Sequence, residues 1–130
     1  MKRKELKILS PDRSTEVHLG ADGIIMIKGR GFLPGNNEIV DMISEWVDDY
    51  IKDPEDVTQV ILAFEYLNSP TTMTLITMLK KLIGLLSQNK KLKIRWYHEE
   101  GDHDIIERGE HISSVVNFPF EFIMTRNISR

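Results

Sequence analysis

The sequence has no cysteine, which removes disulfides, thiolate nucleophiles and Cys-ligated metals and fits a reducing compartment. It also lacks any apolar run long enough to cross a bilayer, so no membrane insertion is expected. Met1-Lys2-Arg3-Lys4-Glu5 is followed by Leu6-Lys7-Ile8-Leu9 rather than by a long apolar core, so no secretory signal is read and a cytoplasmic location is expected. An excess of positive charge is missing too: the net charge is -3, which argues against a general nucleic-acid binder, because affinity for phosphate backbones needs clustered Lys and Arg. Gly29, Gly31 and Gly35 do not have the spacing of a dinucleotide or Walker phosphate loop and read as a turn. Internal repeats and low-complexity segments are absent.

What is present suits one globular domain. The chain has 130 residues, 41% hydrophobic and 28% charged, enough for one core and too few for two ordinary domains. A single domain over 1–130 is expected, with an ordered core over about 5–125. Leu6 to Leu9 reads as a short extended segment. Thr15 to Leu19 alternates, Gly20-Ala21-Asp22-Gly23 turns, and Ile24 to Gly29 is β-rich, the pattern of a hairpin. A first helix, capped by Asn36 or Asn37, buries Ile39, Ile43, Trp46, Val47 and Tyr50 and turns Glu38, Asp41, Glu45, Asp48 and Asp49 outward, as a solvated face or an acidic partner surface.

Val57 to Leu67 reads as a central strand, apolar on both faces as if covered on both sides. A long helix from Ser69 through Gln88 follows, with an apolar stripe of Leu75, Met78, Leu79, Leu82, Ile83 and Leu86; Gly84 within it is read as allowing close packing. Lys91 to Tyr97 alternates as a strand with one buried face. A third helix starts near Asp104, with Asp104 and Glu107 at capping-box spacing. Phe118 to Met124 is expected as an edge strand containing Pro119, with Phe118, Phe120 and Phe122 on one face, and Arg126 to Arg130 as a loose tail. The order β-β-α-β-α-β-α-β predicts an α/β domain with a mixed sheet of about five strands covered by helices.

The chain is organised around Phe64-Glu65-Tyr66-Leu67-Asn68-Ser69-Pro70-Thr71-Thr72, where a strand runs into a helix. Ser69 stands where a hydroxyl caps a helix and Pro70 where proline fits the first turn. A phosphate on that hydroxyl would meet unpaired backbone N–H groups and the positive end of the helix dipole. The densest set of possible metal ligands is His98, Glu99, Glu100, Asp102, His103 and Asp104, but its spacing matches neither the zinc-protease helix nor a calcium loop. From Trp96 to Glu110 six acids face only Arg108, so a solvated acidic loop or a docking surface for a basic partner is the better reading. His18 and His111 read as structural or exposed. No glycine-flanked nucleophile elbow surrounds Ser69, and no metal, cofactor or catalytic residue is assigned.

Gly29-Arg30 followed by Pro34 and Asn36, Glu65-Tyr66-Leu67-Asn68-Ser69, Arg95-Trp96-Tyr97-His98-Glu99-Glu100, Asp102 to Asp104, Glu107-x-Gly109-Glu110 and Pro119-Phe120-Glu121 together resemble the SiaC-like family of bacterial regulatory phosphoproteins. The resemblance implies a fold organised like the anti-sigma-factor antagonists (STAS-like) and a phosphorylatable residue matching Ser69. It further implies a Ser/Thr protein kinase, a PP2C-type phosphatase and, as the target of the unmodified form, a diguanylate cyclase, hence cyclic-di-GMP and biofilm control. Pro70 replaces the family's usual small hydroxyl residue and Met73 its common Lys. On this reading Ser69 is the acceptor and Thr71 and Thr72 compete with it. Asn68 and Pro70 shape the turn, Tyr66 and Leu67 make a close apolar contact, and Glu99, Glu100 and Asp102 assist docking. Two alternatives remain: a constitutive protein-interaction adaptor using the acidic loop, and a metal-dependent enzyme using the same acids with His98 and His103.

Overall fold

The computed structural model describes residues 5–9, 15–29, 37–126 and 128, with backbone alone for 37–39. Its elements are β1 (Leu6–Leu9), β2 (Thr15–Leu19), β3 (Ile24–Gly29), α1 (Asn37–Tyr50), β4 (Val57–Phe64), α2 (Ser69–Ile83), a 3-10 segment (Gly84–Gln88), β5 (Lys91–Glu99), α3 (His103–Val116) and β6 (Glu121–Thr125). The strands lie side by side in chain order. β1, β2 and β3 pair antiparallel, and β3 to β6 pair parallel. The mixed sheet is therefore as expected, with six strands instead of about five. The additional one is the short segment at the start: Leu6 faces Leu19 and Ile8 faces Val17, so its alternation matches that of β2. Gly23, in the hairpin turn, has φ +91°, and a Cβ there would stand 2.8 Å from the Val57 carbonyl oxygen. Its own carbonyl accepts the Gln59 N–H at 2.9 Å, joining the hairpin to β4.

The helices cover one face of the sheet. Val17, Leu19, Ile25, Ile27, Val60, Leu62, Phe64, Leu92, Ile94 and Trp96 alternate along their strands and are buried beneath Ile43, Val47, Leu75, Leu79 and Ile112. On the other face of β4, Val57 is exposed, Gln59 and Ile61 are only partly covered and Ala63 alone is buried, so the expectation of a strand enclosed on both sides is corrected. The cause is topological. Each crossover from β3 to β6 steps to the next strand in the same direction, and crossovers of the one preferred hand then leave their helices on the same side. On the open side Arg95 donates to Gln59 at 2.6 Å and to Glu121 at 3.4 Å, tying three strands together.

Other boundaries move for local reasons. The second helix stays α-helical only to Ile83, and Gly84–Gln88 tightens to 3-10. Three residues per turn then place Leu85 above Leu82, so Leu85 is buried while Leu86 is 45% exposed and leaves the stripe. A Cβ on Gly84 would meet nothing within 4 Å, so its role is at this change of helix type and not in close packing. Gly109 is the glycine that close packing requires: a Cβ there would lie 2.7 Å from the Trp96 ring, which donates its indole N–H to the Ile105 carbonyl at 2.9 Å. α3 is capped by Asp102, whose carboxylate accepts the Ile105 N–H at 3.2 Å, and not through an Asp104–Glu107 box. Pro119 precedes β6 and does not lie within it; Phe118 and Phe120 pack partly buried against the core, while Phe122 is 36% exposed. Ile128 is buried and its N–H bonds to the Glu99 carboxylate at 2.9 Å, so the expected loose tail is anchored at that residue. Asn36, and the stretch from Arg30 to Asn36 used in the resemblance, lie outside the described residues.

Candidate functional site

β4 ends at Phe64. The next residues alternate in exposure: Tyr66 is half-exposed, Leu67 is buried and Asn68 is partly covered. Asn68 is extended, at φ -97° and ψ 168°, and its side-chain carbonyl accepts the Thr71 N–H at 2.9 Å. Its backbone carbonyl receives both the N–H and the hydroxyl of Thr72 at 3.0 Å. Asn68 is thus the N-cap, and the expectation that Ser69 caps the helix is corrected. Both residues are good caps, and the amide oxygen of Asn reaches the third helical N–H as readily as a hydroxyl does. Ser69 and Pro70 become the first two helical residues, where proline costs no hydrogen bond.

The displacement by one residue changes the chemistry of the junction. Ser69 is exposed, and its hydroxyl makes no hydrogen bond among the described residues. The ring of unpaired N–H groups expected around it is largely used: Pro70 has none, Thr71 donates to Asn68, and Thr72 begins the helical ladder. A phosphate on Ser69 would therefore be displayed outward, where an incoming protein meets its charge and its water. The neighbouring hydroxyls differ. Thr71 is 0% exposed, and the Thr72 hydroxyl is held by the Asn68 carbonyl. Thr71 could reach a kinase only after the first helical turn opened.

One hollow borders the junction and a second lies further along α2. In the first, Glu65, Tyr66 and Leu67 face Asp102, Asp104, Glu107, Arg108 and His111 of the α3 end across a space of about 500 Å³. In the second, α1 and α2 leave a smaller groove of about 180 Å³ whose apolar lining is Val40, Ile43, Val47, Met73 and Met78. Met73 stands at its mouth, 63% exposed. Of the predicted docking acids, Asp102 borders the first hollow, although its carboxylate is engaged as a cap. Glu99 and Glu100 do not; they border a separate depression with Met124, Thr125 and Arg126. Sequence reasoning missed Glu65, Arg108 and His111 as neighbours of the junction. Glu107 and Arg108 each stand three or four residues from Asp104 before them and His111 after them, a helical spacing that signals a common face. Among the described residues no group of three or more His, Asp or Glu side chains is placed to hold a metal ion. His98 instead makes a 3.3 Å contact with the Glu99 carbonyl, and His103 is exposed. No helix among the described residues is long and apolar enough to cross a membrane.

The α/β domain thus displays a serine hydroxyl at a strand-to-helix junction, with a charged hollow beside Tyr66 and an apolar groove beside Met73. The family model of SiaC family regulatory phosphoproteins matches residues 10–125, and the chain belongs to that family. Solved structures share the fold. A chain in the crystal structure of the diguanylate cyclase SiaD in complex with its activator SiaC, from Pseudomonas aeruginosa, superposes with a TM-score of 0.82 at 19% identity, over 92% of this chain and 99% of that one. SiaC of Pseudomonas aeruginosa gives 0.77 at 16% identity, over 96% and 100%. Its apo form gives 0.76 at 17% identity, over 95% and 99%. No curated protein matches the sequence.

Proposed function

We propose that this chain is a non-catalytic, cytoplasmic phosphoswitch in which Ser69 is the acceptor, phosphorylated by a Ser/Thr protein kinase and released by a PP2C-type phosphatase. In its bare form it binds and activates a diguanylate cyclase. The observation that carries this reading is the division of labour at the junction: Asn68 caps the helix, which leaves the Ser69 hydroxyl exposed and unused between half-exposed Tyr66 and exposed Met73. Membership of a regulatory phosphoprotein family and the likeness to SiaC, described with its cyclase, support the choice of modification and partner.

Phosphorylation adds a charge of roughly -1.5 to -2 and three acceptor oxygens. With most first-turn N–H groups already engaged, that group keeps its hydration shell. A partner packing on Tyr66 and Met73 would have to remove that water, which opposes the contact whatever the sign of the partner's charge. The test is a binding titration of the diguanylate cyclase from the same cells against the wild-type, Ser69→Ala and Ser69→Asp chains, alongside mass-spectrometric mapping after treatment with the cellular kinase. The Ala chain should bind as the wild type does, the Asp chain about tenfold more weakly, and phosphate should map to Ser69. Equal binding by Ala and Asp chains, with both folded, would sink the switch and favour a constitutive adaptor.

A further inference from the structure

We propose that the end of the chain is a latch: Ile128, seated on the open face of the sheet, fixes the turn from β5 to α3 and through it the wall of the hollow beside Tyr66. The seat is an exception on its face. Ile24, Val57 and Lys93 are exposed there and Met26, Ile61 and Arg95 are partly covered, yet Ile128 is 2% exposed. It borders one depression with Met26, Ile61, Tyr97 and Ala63, the one buried residue on that face of β4. Removing a branched apolar side chain from water favours the closed position.

A single backbone bond turns this seat into a fastening. The Ile128 N–H donates to the Glu99 carboxylate at 2.9 Å, and a charged acceptor makes such a bond stronger than one between neutral groups. Glu99 is the last residue of β5 and pairs in register with Thr125, the last of β6. The latch therefore closes over the ends of two parallel strands. From there the connection runs through the backbone. The Glu99 carbonyl accepts the Asp102 N–H at 3.2 Å, and the Asp102 carboxylate accepts the Ile105 N–H at 3.2 Å to begin α3. Asp104, Glu107 and Arg108 of the following turn face Glu65 and Tyr66 across the hollow.

Little else holds that turn. Glu100 and Gly101 are exposed, and a Cβ on Gly101 would meet nothing within 4 Å. The rest of α3 is fixed independently, by Gly109 against Trp96 and by buried Ile112 and Val116. Release of Ile128 is thus felt in the first turn of α3, where local opening costs least. The open face of the sheet is joined in this way to the charged hollow on the covered face, while α1 and α2 stay outside the connection. Only the further link, from the hollow to recognition of Ser69, rests on the function proposed above.

The test is amide hydrogen exchange on the isotopically labelled full chain and on three variants. Ile128→Ala and Glu99→Ala should each speed exchange at Asp102, Ile105 and Ile106 at least about fivefold, while Leu75 to Leu82 of α2 keep their rates. Glu99→Gln retains an oxygen that accepts the Ile128 N–H and should restore most of the protection, which a role through charge alone would not. Ile128→Val, a milder change, should speed the same three amides to a smaller degree and serves if the Ala variant does not fold. Perturbation confined to Met26, Ile61 and Tyr97, or exchange raised equally in α2, would overturn the latch and leave Ile128 as local packing. Phosphorylation of Ile128→Ala by the cellular kinase separates the two proposals. A wild-type rate together with faster exchange keeps the latch and removes its link to Ser69; if the wild-type chain takes no phosphate at all, the switch falls and exchange alone decides the latch.

Discussion

The groove between α1 and α2 and the hollow beside α3 are made in different ways. The α1–α2 groove, about 180 Å³, is where two helices resting on the same sheet face part above a buried apolar floor. The α3-side hollow, about 500 Å³, is bounded by a loop and a helix end, and its lining includes Glu65, Asp102, Asp104, Glu107, Arg108 and His111. One offers area taken out of water; the other offers charge in a wet, screened setting, where each pair is worth little. The comparison separates affinity from steering. On the function proposed above, a partner that stays bound suits the first, and one that arrives, modifies Ser69 and leaves suits the second.

The strongest way to break the comparison is to destroy one hollow and leave the other. Gly109 lets α3 lie on Trp96, and a Cβ there would stand 2.7 Å from two atoms of the indole ring and 2.8 Å from the Phe122 ring. Gly109→Ala should therefore cost about 2–3 kcal/mol through overpacking, read as a lower urea midpoint. The variant should lose the order of the α3-side hollow while the amide shifts of α1 and α2 stay in place. A loss below about 0.5 kcal/mol would show that α3 slides easily and that its hollow has no fixed shape.

A smaller effect sharpens the division of labour at the junction. Asn68→Ala removes the bond to the Thr71 N–H and should cost about 1 kcal/mol, whereas Ser69→Ala should stay within about 0.5 kcal/mol of the wild type, as exposed substitutions do. Thermal or urea unfolding of the pair decides it. The reverse ranking would restore Ser69 as the cap and take from it the freedom that the proposed switch needs.

How legible this site was follows from the same residues. The hairpin, the three helices and the mixed sheet could be read because alternation, turn glycines and helical spacing agreed with one another. The cap could not, because Asn68 and Ser69 are both good caps and only the backbone geometry chooses between them. The open face of the sheet was misread because Ile61 and Ala63 are apolar there too. Ile61 and Ala63 border a shallow depression with Met26, Tyr97 and Ile128 on that side, and a hydrophobic run does not say whether its cover is a helix or a few side chains. Glu99 and Glu100 read as part of an acidic loop because the alternation of the strand runs out at Tyr97 in the sequence. β5 continues to Glu99, which puts that carboxylate next to the Ile128 N–H instead.

The smallest expected effect concerns what holds the groove open. Lys81 bridges Asp48 and Ser44, both at 2.9 Å, across α1 and α2, with side chains 30% and 51% exposed for the ion pair. If apolar packing sets the distance between these helices, Lys81→Met, which keeps the aliphatic stem, should change stability by no more than about 0.5 kcal/mol, the usual worth of a partly exposed pair. A loss above about 2 kcal/mol would reverse the argument. The groove would then be spaced by the Lys81 clasp rather than by Ile43, Val47 and Met78, and both hollows would owe their form to charge.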